Sequence, residues 1–169
     1  MSSTRPQMKW LWISLLVIAL DQATKQIAES QLPLHQAVNL FPYFDWYLTY
    51  NTGAAFSFLA NAGGWQRWLF TVIAVVVSTI IVQWIRKLPQ DETLTAVSLS
   101  LILGGAIGNL IDRVYFGHVI DYIQIWLGSY PWPAFNIADS AIFVGAAMLI
   151  ISSFIGVGKP RSEESHEPD

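Results

Sequence analysis

The feature that most restricts the fold is a run of eighteen residues, 68–85, in which no side chain is charged. About twenty predominantly apolar residues in a helix cross the hydrocarbon core of a bilayer. The run ends at Arg86 and Lys87, and Pro89 with the acidic residues after it marks a polar turn. We therefore predict a transmembrane helix over about 67–86.

Three further apolar runs have the same character, so four transmembrane helices are expected, over about 9–29, 67–86, 94–112 and 136–157. Only 12% of the residues are charged, and the mean hydropathy is +0.42. Soluble domains carry about 25% charged residues. The predicted fold class is an all-α membrane protein in one polytopic domain, 1–157, followed by a disordered cytoplasmic tail, 158–169.

The two expected outer loops, 30–66 and 113–135, contain patterns typical of strands. In residues 44–50 aromatic and aliphatic side chains alternate with Asp45, Tyr47 and Thr49, and residues 119–126 alternate similarly. Alternation with a period of two indicates a half-buried strand. We expect a small β-sheet and loop cradle on the outer surface, with a short interfacial helix over 54–60.

The basic residues predict the orientation. Six of the nine Lys and Arg lie near the two termini and the turn after residue 85, and these positions share one side in a four-helix topology. Cytoplasmic segments carry the excess of positive charge. Both termini are therefore expected to be cytoplasmic, in a multi-pass membrane protein.

Five polar residues far apart in the sequence are expected at the outer side: Asp21, Asn51, Asp112, Asp121 and Asp139. An Asp at the bilayer centre costs about 2.5–3.5 kcal/mol even on the lenient insertion scale. Ionisable groups beside apolar runs therefore point to a functional site.

Several classes of site are excluded by composition. Cysteine is absent, which removes thiol nucleophiles, disulfides and Cys-based metal sites. The three histidines do not form an H-E-x-x-H zinc motif, and no basic patch is present that binds nucleic acid. We expect no metal, no cofactor and no nucleic-acid partner, which leaves carboxylates as the chemical groups.

Asp121 and Asp139 are the candidates for a carboxylate pair. Two aspartates that share a site hold one proton between them, so one deprotonates water while the other polarises a carbonyl. Asp139 is expected in the first turn of a helix, which favours its ionised form. Spacing alone leaves a structural or proton-relay role equally open.

The other charged residues have simpler interpretations. Asp112 precedes Arg113, and the two are expected to form an ion pair. Lys25 and Glu29 are expected to extend to the membrane interface, which the short side chain of Asp21 does not reach. A small proton-coupled transporter or relay is the alternative function class, and a structural membrane subunit is a third.

Five motifs together resemble the bacterial lipoprotein signal peptidase (signal peptidase II) family over about residues 9–157. Their order and spacing make the resemblance specific. The motifs are Asp21-Gln-x-x-Lys25, Asn51-Thr-Gly-Ala-Ala-Phe-Ser57, Gly104-Gly-Ala-x-Gly-Asn-x-x-Asp-Arg113, Val119-x-Asp-Tyr122 and Phe135-Asn-x-Ala-Asp139.

The resemblance implies a four-span aspartic endopeptidase of the inner membrane, with Asp121 and Asp139 as the catalytic pair near the periplasmic face. It implies a diacylglyceryl-modified prolipoprotein as substrate, contact with membrane lipid, inhibition by globomycin and no metal. We expect a monomer. The supporting residues matched to the family or to its motifs are Asp21, Lys25, Asn51, Gly53, Gly108, Asn109, Asp112, Arg113, Asn136 and Ala138.

Local patterns give these residues physical roles. Asn109 and Arg113 are four apart and share a helix face, where Arg113 can bond to backbone or lipid phosphate. Asn136 is expected to cap the helix that carries Asp139. Gly53 permits a close approach of the backbone beside Asn51.

Overall fold

The structure is a computed structural model that describes residues 7–53 and 63–156. The expected interfacial helix over 54–60 and the expected tail over 158–169 lie outside the described residues. A 3-10 turn, Gln7–Trp10, leads into helix α1, Leu11–Gln31. The other helices are α2, Trp65–Lys87, α3, Thr93–Tyr115, and α4, Ile137–Gly156.

Three of the described helices are long and apolar enough to cross a membrane: Trp65–Lys87, Thr93–Tyr115 and Ile137–Phe154. The predicted architecture, mostly helical with a small antiparallel sheet, is confirmed to this extent. Helix α1 covers most of the predicted 9–29 span, and it also carries charged residues.

Helix α3 is the centre of the bundle, because α1, α2 and α4 all pack against it. Its glycines allow this. A Cβ at Gly104 would lie 2.8 Å from Cβ of Val17 on α1. A Cβ at Gly105 would overlap the carbonyl oxygen of Ala138 on α4. The small residues therefore bring α1 and α4 onto two sides of α3, as is common for packed membrane helices.

The sheet has four antiparallel strands in the order β1-β2-β3-β4. The strands predicted over 44–50 and 119–126 are present as β2, Phe44–Asn51, and β3, Val119–Leu127. The sequence patterns did not reveal the edge strands β1, Ala37–Phe41, and β4, Tyr130–Pro131.

Two features of the sheet position β3 over the bundle. The hydroxyl group of Tyr122 donates to Thr24 Oγ1 on α1 at 2.7 Å. The β2–β3 register shifts between Trp46 and Thr49, and Thr49 pairs with Asp121. A bulge at such a position changes the direction of nearby side chains. Asp121 lies within hydrogen-bonding distance of Asn136, the residue before α4.

Candidate active site

Asp121 lies on β3 with 2% of its surface exposed. Its two carboxylate oxygens each accept a hydrogen bond from a side-chain amide. Asn136 Nδ2 donates to Oδ1 at 2.7 Å, and Asn51 Nδ2 donates to Oδ2 at 3.2 Å. The partners are neutral amides, so the interactions orient the carboxylate without adding a countercharge.

Asp139 lies in the first turn of α4, as predicted. Asn136 caps this helix, because its Oδ1 accepts the backbone N–H of Asp139 at 2.9 Å, and the predicted N-cap is thereby confirmed. Asn109 on α3 donates from Nδ2 to Asp139 Oδ1 at 2.7 Å. Asn136 thus contacts both aspartates, one through its amide nitrogen and the other through its amide oxygen.

Both carboxylates line one groove with a volume of about 860 Å³. The groove lies between the sheet and the start of α4. Phe143 and Val144 form part of its wall, and they are 75% and 47% exposed. A few polar side chains line an otherwise largely apolar groove, which is the usual composition of a small-ligand site and suits an amphipathic ligand.

The environment of Asp121 retains a proton on this side chain. Burial, and to a smaller extent the negative charge of Asp139, raise its pKa from 3.8 to about 8. The amides of Asn51 and Asn136 and the charge of Lys25 oppose this effect. Because the cost of removing water from the ionised form dominates, Asp121 is protonated at neutral pH. Such a group can donate a hydrogen bond to a polarised carbonyl.

A buried ion cluster lies behind the pair. Lys25 Nζ is 2.8 Å from Asp21 Oδ2 and 2.7 Å from Asp112 Oδ2. At most 1% of each side chain is exposed. The expectation that Lys25 extends to the membrane interface is wrong, because two carboxylates hold its ammonium group between the helices. Glu29 is exposed, and it accepts a hydrogen bond from Tyr50.

The expected ion pair between Asp112 and Arg113 is also wrong. Consecutive residues on a helix point in different directions, and Asp112 faces Lys25 on α1. Arg113 instead donates to the backbone oxygens of Asn109 at 3.3 Å and Gly53 at 3.1 Å. Its guanidinium group also lines the groove.

Close packing joins the ion cluster to the start of α4. The backbone N–H of Ala138 donates to Asp21 Oδ1 at 2.9 Å. A Cβ at Gly108 would lie 2.6 Å from Asp21 Oδ2, so only glycine leaves room for this carboxylate. Gly53 donates its N–H to Asn51 Oδ1 at 2.9 Å, which directs the Asn51 amide nitrogen toward Asp121.

Sequence reasoning did not assign roles to three residues near the site. Gln22 donates to Asp112 Oδ1 at 2.8 Å. Thr24 anchors Tyr122, as described above. Arg67 donates to the backbone oxygens of Arg113 and Val114, both at 2.7 Å, at the end of α3. A basic residue in the last turn of a helix predicts hydrogen bonds to that helix's final carbonyl oxygens. Arg67 lies on α2, so the sequence of α3 does not indicate this contact.

No group of three or more His, Cys, Asp or Glu side chains in residues 7–53 and 63–156 is arranged to hold a metal ion. The groups suited to acid–base chemistry in the described part of the groove are the two carboxylates, and amide, hydroxyl and guanidinium groups line it around them. A proton held by Asp121 and an acceptor on Asp139 are suited to acid–base chemistry on a bound carbonyl compound.

The chain is similar to known proteins over most of its length. The family model for signal peptidase (SPase) II matches residues 13–155. A lipoprotein signal peptidase of Pseudomonas putida is 52% identical over 96% of this chain and 92% of its own length. A lipoprotein signal peptidase of Alteromonas mediterranea is 49% identical over 94% of this chain and 86% of its own length.

Two solved structures of bacterial membrane enzymes have a similar fold. One has a TM-score of 0.82 and 29% identity, and it covers 92% of this chain and 93% of its own. The other has a TM-score of 0.75 and 30% identity, and it covers 86% of this chain and 92% of its own. The family resemblance noted from the sequence motifs is confirmed by the family model and the relatives.

Proposed function

The chain belongs to the signal peptidase II family, and we propose that it is a membrane aspartic endopeptidase that removes signal peptides from diacylglyceryl-modified prolipoproteins. The observation that carries the proposal is that Asp121 and Asp139 face one groove and both contact Asn136. Family membership favours a peptidase over the alternative of a proton-coupled transporter or relay.

The two carboxylates divide the chemistry of peptide hydrolysis. The ionised carboxylate of Asp139 removes a proton from water, and the water oxygen forms a bond to the scissile carbonyl carbon. Asp121 gives its proton to the carbonyl oxygen. The proton gained by Asp139 then moves to the amide nitrogen, the C–N bond breaks, and the carbonyl group re-forms as its proton returns to Asp121. The pair again holds one proton, as in other paired-carboxylate sites.

The supporting residues hold this pair in position. Asn51, Asn109 and Asn136 orient the carboxylates, and Arg113 ties the end of α3 to Gly53. The remaining proposed support residues join α1, α3 and α4 behind the pair: Asp21, Lys25, Gly108, Asp112 and Ala138.

The groove suits a substrate that is part peptide and part lipid. Its wall includes Phe143 and Val144, which are exposed on a helix apolar enough to cross a membrane. Its polar lining includes the aspartates and Arg113. A diacylglyceryl-modified precursor can therefore keep its acyl chains among membrane lipids while its scissile bond reaches the carboxylates. We expect a globomycin-type cyclic peptide to occupy the same groove.

We propose α1 as a fourth membrane span. Its 21 residues measure about 32 Å, enough for a hydrocarbon core of about 30 Å. Asp21 and Lys25 pair with buried groups, so lipid meets the apolar face instead. The large apolar side chains exposed on α1 are Trp12, Leu15, Leu16, Leu20 and Ile27.

The proposed topology follows from four spans. Residues 1–157 form one polytopic domain of the bacterial inner membrane, with both termini and the tail 158–169 cytoplasmic and the groove near the periplasmic face. We propose that the enzyme acts as a monomer without a cofactor, since the groups used in the reaction belong to one chain.

Asp121→Asn and Asp139→Asn test the function. Each variant is purified and given a diacylglyceryl-modified precursor peptide, and cleavage is followed by mass spectrometry. We expect turnover to fall at least about 10⁴-fold in both, because each carboxylate takes part in every proton transfer. Asp45→Asn, which removes a carboxylate outside the groove, is the matched control and should retain activity. Substantial turnover by either active-site variant would contradict the proposal.

A further inference from the structure

Asn109 connects the buried ion cluster to Asp139. Its Oδ1 accepts a hydrogen bond from Lys25 Nζ at 3.1 Å. Its Nδ2 donates to Asp139 Oδ1 at 2.7 Å. Lys25 is 1% exposed and is absent from the groove lining, and its hydrogen-bonded connection to the Asp139 carboxylate runs through the Asn109 amide.

The chemistry of the neighbours determines how the Asn109 amide is oriented. A lysine ammonium group has three donors and no acceptor, so it requires the oxygen of the amide. Asn136 Nδ2, another donor, lies 3.2 Å from the same oxygen. A flipped amide would direct its N–H groups at both donors and its oxygen at a carboxylate. Donors on one side and an acceptor on the other therefore permit a single orientation.

Lys25 is itself held rigidly. Asp21 and Asp112 bind its ammonium group at 2.8 and 2.7 Å. Asp21 also accepts the N–H of Ala138, and Asp112 accepts the N–H of Ile120 at 3.1 Å. These two N–H groups belong to the segments that carry Asp139 and Asp121. The position of the ammonium group is thus tied to both catalytic segments.

We propose that Lys25 is a positioning residue for the peptidase reaction: its ammonium group orients the Asn109 amide, and the oriented amide restricts the rotation of the Asp139 carboxylate. This inference rests on the proposed function, because it assumes that Asp139 reacts. Without Lys25 the amide oxygen keeps only the Asn136 donor at 3.2 Å, so the amide is held less firmly and the Asp139 carboxylate is positioned less precisely.

Lys25→Met removes the ammonium group while keeping a chain of similar length. A misplacement of about 1 Å at a reacting group costs about 10²-fold in rate, so we expect kcat to fall by about that factor. KM should change less than about threefold, because Lys25 does not line the groove. Since Lys25→Met leaves two buried carboxylates without a cation, the variant Lys25→Met/Asp112→Asn is used as well. It keeps the net charge of the cluster unchanged.

A double-mutant cycle separates positioning from a general structural effect. If Lys25 acts through Asn109, adding Lys25→Met to Asn109→Ala lowers kcat no further. Effects that multiply in the double variant would overturn the proposal. Gln22→Met is the matched control, because it removes hydrogen bonds to Asp112, Asp21 and the Gly108 carbonyl oxygen without touching Asn109, and it should keep kcat within about threefold.

A measurement without substrate makes the test independent of the peptidase assignment. In the full-length protein in detergent, the side-chain amide of ¹⁵N-labelled Asn109 should give one protected pair of NH₂ signals. In Lys25→Met/Asp112→Asn these signals should shift and exchange with solvent faster. Unchanged signals would refute the role of Lys25. Full activity of Asp139→Asn would instead refute the proposed function, so the two failures are distinguishable.

Discussion

Replacing Asp121 with asparagine should change how the stability of the protein depends on pH. Asparagine has nearly the shape of aspartic acid but does not ionise. In the wild-type protein, burial and the charge of Asp139 raise the pKa of Asp121 from 3.8 to about 8. The folded state therefore binds this proton more tightly than the unfolded state does.

The sign and size of the effect follow from this difference. A raised pKa in the folded state gives a contribution to stability that is complete below the unfolded pKa and is lost as pH rises toward about 8. Within this range, each rise of one pH unit lowers the free energy of unfolding by about 1.4 kcal/mol, because the folded state binds one more proton than the unfolded state. Between about pH 5 and about pH 8 the wild-type protein should lose about 4 kcal/mol from Asp121, and Asp121→Asn should not lose it.

The comparison of two pH values is robust, because hydrogen bonds lost in Asp121→Asn weaken the protein equally at both. Equilibrium unfolding in detergent micelles, followed by tryptophan fluorescence, measures the free energy of unfolding. Asp45→Asn removes another buried carboxylate of the sheet and should keep the wild-type decrease. If wild type and Asp121→Asn lose the same free energy between the two pH values, the assignment of the proton to Asp121 is wrong.

Three further outcomes test the packing and the chemistry. Gly105→Ala should lower the free energy of unfolding by about 1–3 kcal/mol and reduce kcat. The added Cβ overlaps the carbonyl oxygen of Ala138 and separates α3 from α4. Thermal unfolding measures the first effect and a cleavage assay measures the second. Trp126→Phe should lower the free energy of unfolding by about 1.5–3 kcal/mol, because it removes the 2.7 Å hydrogen bond to Asp45, and it should retain cleavage, because that bond lies outside the groove. A wild-type melting temperature would contradict this prediction. Dialysis against a metal chelator should leave the initial rate of cleavage unchanged, and restoration of a lost rate by added metal would contradict carboxylate-only chemistry.

Sequence patterns predicted the helices and strands that are specified by residues close to one another in the chain. The apolar runs indicated the helices, and alternation indicated β2 and β3. The cap by Asn136 was predictable because it involves a residue only three positions away. Strand β1 was not, since all its side chains are exposed and it exists by pairing with β2. Its own sequence therefore lacks the alternating burial pattern.

The sequence by itself determined the membrane class, the mostly helical architecture and the family, because these depend on composition, periodicity and ordered motifs. Tertiary structure decided which charged groups meet. Lys25 pairs across helices with Asp112, and Arg113 bonds to backbone instead of to its sequence neighbour. Such choices depend on how far each helix is rotated and how closely the glycines of α3 let its neighbours approach. The spacing of residues in the sequence shows which of them lie on the same face of a helix, but only the packing of the helices determines which groups that face contacts.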